Sequence, residues 1–356
     1  MYTIISKKDD AGSFLAHWRE YIKNNLATFR YLPEYLDYML YYSSSLEGDG
    51  SFVAIENGKP VGVCFLPIEK AGGIARISLA GGYTLAPLCA NDGVEKYVFE
   101  EIDRISKKHN VKKVLFYIDP LIAQYRNKFN CLRKYRFVDT SSSDCILDLR
   151  KNEKELLSGV RKGHKYDIGR VLKDAEFQLI CMDHSNADRQ IHETYRELHK
   201  KCSGKATRAK ETFEKQFDML KSDNAMLVGV KFKDKFVSMS YFLHFQKTVL
   251  YMSSADDPDF KGMPVYHPGI WKAILYYASR GFDFMQFSQP CGYGKVGGFD
   301  DYLDEKQLNI SKFKRGFGGE MVTFFRGIRY YDASPFLEDL QNFKDKMLKS
   351  FGEREI

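Results

Sequence analysis

Two apolar runs on either side of a tight-turn pair predict a β-hairpin early in the chain. Apolar runs at 51–56 and 59–66 lie on either side of Asn57 and Gly58. Both turn residues tolerate the positive φ angles that a tight turn requires, so the two runs are expected to pair as antiparallel strands.

A second period, close to that of an α-helix, follows the hairpin and predicts a helix over 93–109. The apolar positions that define it are Val94, Val98, Ile102 and Ile105. The apolar run at 111–118 then predicts a buried strand. The other elements predicted in the first half are strands at 1–6, 74–79 and 145–149 and helices at 12–21, 33–42 and 121–135.

The second half repeats this order of elements. The predicted strands are 177–182, 226–232, 236–245, 248–253, 282–288 and 321–325, and the predicted helices are 153–173, 187–200, 210–221, 267–280 and 336–351. Residues 289–304 are rich in glycine and aspartate, which predicts an irregular loop.

The repeated order is strand, two helices, antiparallel strands, helix and strand. It indicates an α/β protein with mixed sheets, built from two copies of one domain, although no repeat of individual residues accompanies it. At 356 residues the chain is long enough for two hydrophobic cores. We therefore predict an N-terminal domain at 1–150 and a C-terminal domain at 151–356, with the boundary at 149–154.

The net charge of the chain indicates which classes of ligand it could bind. The chain has 54 Lys and Arg residues against 47 Asp and Glu residues, which gives a net charge of +7. This mild excess suits an anionic ligand such as a nucleotide sugar, coenzyme A or tRNA. A dedicated nucleic-acid binder usually shows a stronger imbalance, and we expect no DNA partner.

The cysteine pattern and the hydropathy of the chain predict the cellular compartment of the protein. The seven cysteines are scattered without a CxxC pair, and the eight histidines show no metal-ligand spacing. We therefore expect reduced thiols and no metal centre. No apolar run reaches the length of a membrane span, and the N-terminus lacks the apolar core of a signal peptide. These features predict a cytoplasmic protein with no membrane span.

The strongest candidate for chemistry is the segment 311–320, which reads Ser-Lys-Phe-Lys-Arg-Gly-Phe-Gly-Gly-Glu. Lysine and arginine bring positive charge and donors to an anion, and glycine leaves backbone N–H groups open to close approach. The segment could therefore hold a phosphate or a developing oxyanion. The alternative is a solvated basic turn between a helix and a strand.

Two further features could bind an anion. Arg161, Lys165 and Arg170 lie on the predicted basic helix and could contact phosphates, or they could form a solvated face paired with nearby aspartates. His267 begins another helix, where free N–H groups can bind an anion. The alternative there is that the following proline simply suits the first turn of a helix.

Cys291, in the loop after strand 282–288, is a candidate acyl-carrying nucleophile if His267 or His244 lies beside it. An inert buried thiol is the alternative.

Three features of the second half together resemble a known family. They are the basic helix after the domain junction, the strand at 282–288 after a helix ending in Ser-Arg-Gly, and the terminal segment 313–319, Phe-Lys-Arg-Gly-Phe-Gly-Gly. The order of elements resembles the GNAT acyltransferase fold. The three features resemble the FemABX group, which comprises aminoacyl-tRNA-dependent peptidyltransferases built from two GNAT-like domains.

The resemblance implies two tandem GNAT-like domains and an N-acyltransferase. Such an enzyme would transfer an acyl or aminoacyl group to an amine, on a sugar or cell-envelope precursor. Lys314 would then lie at the site of transfer and stabilise the tetrahedral oxyanion, while the Phe313 carbonyl holds the N–H of the amine. Arg315 and the basic helix would hold an anionic donor or acceptor.

The resemblance leaves the acyl donor open between aminoacyl-tRNA and acyl-CoA, and no bound cofactor is expected. GNAT acetyltransferases hold the pyrophosphate of coenzyme A with a Gln/Arg-x-x-Gly-x-Gly/Ala loop, which is absent at 259–269 and at 85–93. The region 81–87 also lacks the Gly-Pro step of enzymes that build cell-wall bridges. Two alternatives are an acyl-CoA-dependent amino-sugar N-acetyltransferase and a non-catalytic module that binds tRNA or another polyanion.

Overall fold

The chain forms two compact units in a computed structural model that describes residues 1–125, 128–299 and 301–352. The units combine separate stretches of the sequence: Met1–Ser143, Gly292–Glu305 and Thr323–Ile356 in the first, and Asp144–Cys291 and Lys306–Val322 in the second. Both contain helices and mixed sheets, so the predicted α/β class is confirmed. The boundary at 149–154 between the two domains remains a prediction.

Helices and strands are numbered in chain order. The helices are α1 (Ala11–Asn24), α2 (Pro33–Leu40), α3 (Asp92–Lys108), α4 (Pro120–Tyr125), α5 (Glu153–Gly159), α6 (Lys162–Leu172), α7 (Arg189–Ser203), α8 (Lys210–Lys221), α9 (Tyr266–Ser279), α10 (Glu305–Arg315) and α11 (Ala333–Gly352). The strands are β1 (Tyr2–Ser6), β2 (Leu46–Asp49), β3 (Phe52–Glu56), β4 (Lys59–Cys64), β5 (Pro67–Ala71), β6 (Ile74–Ile77), β7 (Thr84–Leu85), β8 (Leu88–Cys89), β9 (Val111–Tyr117), β10 (Val138–Asp139), β11 (Ser142–Asp148), β12 (Phe177–Met182), β13 (Ala225–Phe232), β14 (Lys235–Phe245), β15 (Thr248–Asp256), β16 (Phe284–Gln286), β17 (Glu320–Phe324) and β18 (Arg326–Tyr330).

The first unit contains one sheet in the order β1-β3-β4-β8 and another in the order β10-β18-β9-β6-β5-β2. The predicted hairpin is confirmed as β3 and β4, with Asn57 at φ 51° and Gly58 at φ 75°. The predicted helix is α3, and the apolar positions that defined it are buried in the core of this unit.

Two predicted helices of the sequence are wrong in extent. The basic helix expected at 153–173 is two helices, α5 and α6, because Val160 is extended and buried and the Arg161 N–H donates to the Gly316 carbonyl. The helix expected at 121–135 ends at Tyr125, and a short 3₁₀ turn begins at Cys131, where the Asn130 side chain caps it. Residues 126 and 127 of that prediction lie outside the described residues.

The second unit is built on a sheet in the order β12-β13-β14-β15-β16-β11-β17. Strands β12 to β15 form an antiparallel meander, and β16 then pairs parallel to β15. The order of these strands along the chain agrees with the prediction, whereas the parallel pairing of β16 with β15 was not predicted.

Helices cover both faces of this sheet. Tyr241 of β14 contacts the ring of Tyr195 on α7, whereas the next residue, Phe242, contacts Tyr277 on α9. Because successive residues of a strand face opposite sides, α7 and α9 lie on opposite faces. The buried side chains of α9 that join the core are Ile270, Trp271, Ile274 and Tyr277. Full burial of each stabilises the fold by about 2 kcal/mol.

No helix in the described part of the chain is both long enough and apolar enough to cross a bilayer.

Acid is expected to destabilise the second unit through a buried histidine of α7. Burial lowers the pKa of His192 to about 4, against an ordinary value of 6.5. The stability that the neutral form of His192 gives to the folded state is fully present above pH 6.5, and it is lost as the pH falls toward 4. We expect the free energy of unfolding to be about 2 kcal/mol lower at pH 5 than at pH 7 on account of this group.

Urea unfolding at the two pH values checks this. The variant His192→Phe should fit among the aromatic rings of Tyr195 and Phe217 and reduce the difference between pH 5 and pH 7. An unchanged difference in the variant would show that other groups carry the acid sensitivity.

Candidate active site

The candidate site lies where the two parallel strands of the second unit separate. Strand β15 pairs with β16 only as far as Leu250 and Gln286, after which β15 continues to Asp256 without that partner. The gap opens into a cavity of about 1130 Å³. Its lining consists of Tyr251, Met252, Ser253, Ser254, Lys261, Tyr266, Lys306, Asn309, Ile310, Phe313 and Lys314.

A β-bulge shapes the wall contributed by β15. The register between β14 and β15 shifts at Met252, because Tyr241 lies opposite Ser253 and Phe242 opposite Tyr251. Such bulges change the direction of neighbouring side chains and frequently occur beside active sites. Here the bulge brings Tyr251 and Ser254 together, with 2.5 Å between their hydroxyl oxygens.

Lys314 is the buried cation of the cavity wall. It lies in the last turn of α10, and the residue is 9% exposed. Its Nζ donates to the carbonyl oxygens of Ser288, at 3.2 Å, and Gln289, at 2.9 Å, just after β16. An ammonium group has three N–H donors, so one more remains for a ligand in the cavity.

Burial lowers the pKa of Lys314, and the nearby Asp144 carboxylate opposes this by favouring the charged form. The two carbonyl acceptors also stabilise the ammonium. A cation held in a poorly solvated place acts more strongly on a developing negative charge than one in water.

Cys291 does not have the character of a nucleophile. Its side chain is buried, and its thiol donates to the same Ser288 carbonyl as Lys314, at 2.9 Å. Burial raises the pKa of the thiol, which disfavours the thiolate that acyl transfer would need. The inert alternative fits these contacts.

The basic segment differs from the expected open turn. It is helical through Arg315, and the N–H groups of Gly316, Phe317 and Gly318 donate to carbonyls three residues earlier. The expectation that these groups are open to an anion is therefore wrong for this segment. A Cβ on Gly318 would lie 2.8 Å from the Gly159 carbonyl carbon, so the glycine allows close packing of the backbone instead.

His164 of α6 packs against Phe313 and Gly316. Its Nδ1 is 3.1 Å from Arg161 Nη2, and its Nε2 is 2.9 Å from the Phe313 carbonyl oxygen. Because a guanidinium only donates and a carbonyl only accepts, His164 is neutral with its proton on Nε2. Burial lowers the pKa of His164, in agreement with this form.

The sequence-predicted residues do not all reach the cavity. Phe313 and Lys314 line it, and the Phe313 carbonyl accepts from both His164 and Gly316. Arg161 and Lys165 bond to backbone carbonyls of Lys312 and Ser158, respectively. These roles in the binding of an anion remain predictions.

Three more residues that were predicted to bind an anion do not line the cavity. Arg170 is exposed on α6, and Arg315 is partly buried at the end of α10. The ring of His267 packs against that of Phe313, with 5.1 Å between the centroids. Burial lowers the pKa of His267 to about 4, so it carries little positive charge at neutral pH. Their binding roles also remain predictions.

The sequence could have indicated one wall of the cavity. Lining residues of α10 recur at the spacing of one helix face, at Lys306, Asn309, Ile310, Phe313 and Lys314. Lys261 adds a further cation from the loop before α9, and none of the described lining residues is acidic. The cavity is therefore suited to an anionic ligand. The described residues contain no group of His, Cys, Asp and Glu side chains placed to hold a metal ion.

Comparisons with known proteins show what the chain resembles in domain and fold. Residues 158–302 match the model of the acetyltransferase (GNAT) domain. The fold is similar to the crystal structure of FemX, with a TM-score of 0.57 at 15% identity, over 82% of this chain and 90% of that one. No curated protein matches the chain significantly in sequence.

Two structures related to lysylphosphatidylglycerol synthetase are also similar in fold. One is the C-terminal domain of a putative synthetase from Agrobacterium fabrum, with a TM-score of 0.61 at 9% identity, over 93% of this chain and 97% of that one. The other is L-PGS from Bacillus licheniformis, with a TM-score of 0.56 at 12% identity, over 87% of this chain and 96% of that one. Residues 158–302 are thus similar to GNAT acetyltransferase domains, and the fold of the chain is similar to that of FemX.

Proposed function

We propose that the chain transfers an acyl or aminoacyl group from an activated, anionic donor to an amine. The observation that carries the proposal is the cationic cavity between the separated strands β15 and β16, with Lys314 held in its wall. The donor carbonyl would lie against Lys314, and the amine would attack the carbonyl carbon. The C–N bond forms as the C–O or C–S bond to the leaving group breaks.

Lys314 would act on the charge that develops during this attack. The carbonyl oxygen becomes an oxyanion in the tetrahedral intermediate, and the remaining N–H of the ammonium would donate to it. The carbonyls of Ser288 and Gln289 hold the ammonium in place before the substrate binds. The ammonium of Lys314 is already in position and need not reorganise during the reaction. It would therefore stabilise the transition state more than the bound substrate.

The donor is proposed from two classes. Aminoacyl-tRNA follows from the resemblance to FemABX enzymes and from the likeness in fold to FemX. Acyl-CoA is the second candidate, since the family model that matches 158–302 describes acetyltransferases. The absence of the pyrophosphate loop favours the first. The acceptor proposed is an amine on a sugar or cell-envelope precursor.

Donor labelling tests this proposal. The full chain is incubated with tRNA charged with a labelled amino acid or with labelled acetyl-CoA, each with an amino sugar or a lysine-containing muropeptide as acceptor. We expect label on the acceptor amine from one donor class. Label that stays on both donors with every acceptor would contradict the proposed transfer and favour the binding-module alternative.

Donor binding should depend on the exposed cations of the cavity. Lys306 lines the cavity from α10, whereas Lys312 is exposed on the same helix and is not among the lining residues. We expect Lys306→Ala to weaken donor binding by about tenfold and Lys312→Ala to have little effect, because a cavity charge acts at closer range. Titration of each variant with the donor measures the difference, and equal losses would argue against donor binding in the cavity.

A further inference from the structure

Tyr266 connects the cavity to a carboxylate. It is the first residue of α9 and lines the cavity. Its hydroxyl donates to Asp256 Oδ1, at 2.6 Å, at the end of β15. Asp256 does not line the cavity itself, so the phenol lies between the carboxylate and the cavity.

The attack of an amine requires a group that takes up a proton. An alkyl ammonium has no lone pair, and it must lose one proton before it attacks and another before the amide forms. The lysines of the lining carry no lone pair when charged, and burial raises the pKa of Tyr251 to about 12. Tyr266, by contrast, donates a hydrogen bond to a carboxylate from within the described lining.

We propose that Tyr266 and Asp256 form a proton relay for the acceptor amine. This inference rests on the proposed function. The amine enters in its neutral form, having lost its first proton to solvent. As its nitrogen attacks, the phenol oxygen takes the second proton from the nitrogen and passes its own proton to Asp256. The C–N bond forms, the C–O or C–S bond of the donor breaks, and the leaving oxygen or sulfur regains the proton from Asp256 through Tyr266. The net products are an amide and a free alcohol or thiol.

The hydrogen bond to Asp256 keeps the phenol in place between turnovers. Burial, together with this hydrogen bond, raises the pKa of Tyr266, so the phenol holds its proton at neutral pH until the nitrogen supplies another. Cys202 of α7 also donates to Asp256 Oδ1, at 3.1 Å. A carboxylate can accept about four hydrogen bonds, so both donors can be held at once.

Other titratable groups line the same cavity from the neighbouring elements. Tyr251 lies on β15, Lys261 belongs to the loop before α9, and Lys306 and Lys314 belong to α10. The lysines repel an incoming ammonium, which favours entry of the amine in its neutral form. They do not replace a base, because a lysine ammonium has no lone pair.

The variant Tyr266→Phe tests the relay, because it keeps the ring and removes the hydroxyl. We expect kcat for transfer to fall by about 10²-fold at pH 7. The deficit should shrink by about tenfold for each pH unit above 7, because hydroxide, which is tenfold more abundant with each unit, can take the proton that the relay takes at pH 7. Asp256→Asn should show the same pH dependence, and Asp256→Glu should recover part of the activity.

A matched control lies on the same helix. Tyr276 of α9 donates to Asp183 Oδ2 at 2.7 Å, outside the cavity lining. Tyr276→Phe loses an equivalent hydrogen bond and should leave kcat and its pH dependence unchanged. Thermal unfolding of the four variants verifies that each is folded.

The outcomes separate the relay from the proposed function. Normal transfer by Tyr266→Phe, or a deficit that stays constant with pH, would overturn the relay alone. The constant deficit would identify the hydrogen bond as a structural link between β15 and α9. Absence of transfer to any amine by the unmodified chain would overturn the proposed function and the relay together.

Discussion

Replacing Lys314 with methionine is expected to lower the rate of acyl transfer by about 10²- to 10³-fold. Removal of one donor to a developing oxyanion has an effect of this size in a preorganised site. Methionine keeps a long, flexible side chain and removes the charge. Because the loss arises in the transition state, kcat should fall while the affinity for the donor changes much less.

The matched control is Lys312→Met, two residues earlier on α10, where the side chain is exposed. It removes the same charge from the same helix and should leave kcat within about twofold, since an exposed charge acts weakly through water. Thermal unfolding of both variants separates catalysis from folding. A folded Lys314→Met protein with normal turnover would show that another group stabilises the oxyanion.

Replacing Gly316 with alanine is expected to destabilise the second unit by about 4 kcal/mol. The added Cβ would lie 2.2 Å from His164 Nε2, far inside contact distance. The His164 ring cannot move away freely, because it packs against His267 and Phe317, with centroid distances of 4.4 and 4.8 Å. Relief of the overlap would strain the core and break the bond from His164 to the Phe313 carbonyl.

Urea unfolding of the variant and of Gly163→Ala measures this effect. Gly163 lies on α6, next to His164, and a Cβ there would meet no atom within 4 Å. Alanine at this helical position should be neutral or stabilise the protein by up to about 1 kcal/mol. Equal stabilities of the two variants would show that His164 adjusts without cost.

Local patterns predicted the parts of the fold that neighbouring residues determine. Asn57 and Gly58 specify their turn through their own φ angles, and α3 follows from the spacing of its apolar residues. The division between α5 and α6 could not be predicted in this way. It depends on the bond from Arg161 to Gly316, which are far apart in the sequence.

The candidate site was predictable to a similar degree. The family resemblance identified Lys314, and the structure places it in the cavity wall. The glycines after it were interpreted as open backbone, because a sequence does not reveal which atom occupies the space of a missing Cβ. For Gly316 that atom is His164 Nε2. Tyr266 gave no signal, since its partner Asp256 becomes meaningful only when the end of β15 meets the start of α9.

The position of β18 has a consequence for biosynthesis. This strand, near the end of the chain, lies between β9 and β10 in a sheet of the first unit. A ribosome makes β9 and β10 long before β18, so that sheet stays incomplete, with exposed strand edges, until residues 326–330 have been translated. Nascent chains that stall before residue 326 therefore leave edges of β9 and β10 unpaired, and such edges are templates for aggregation.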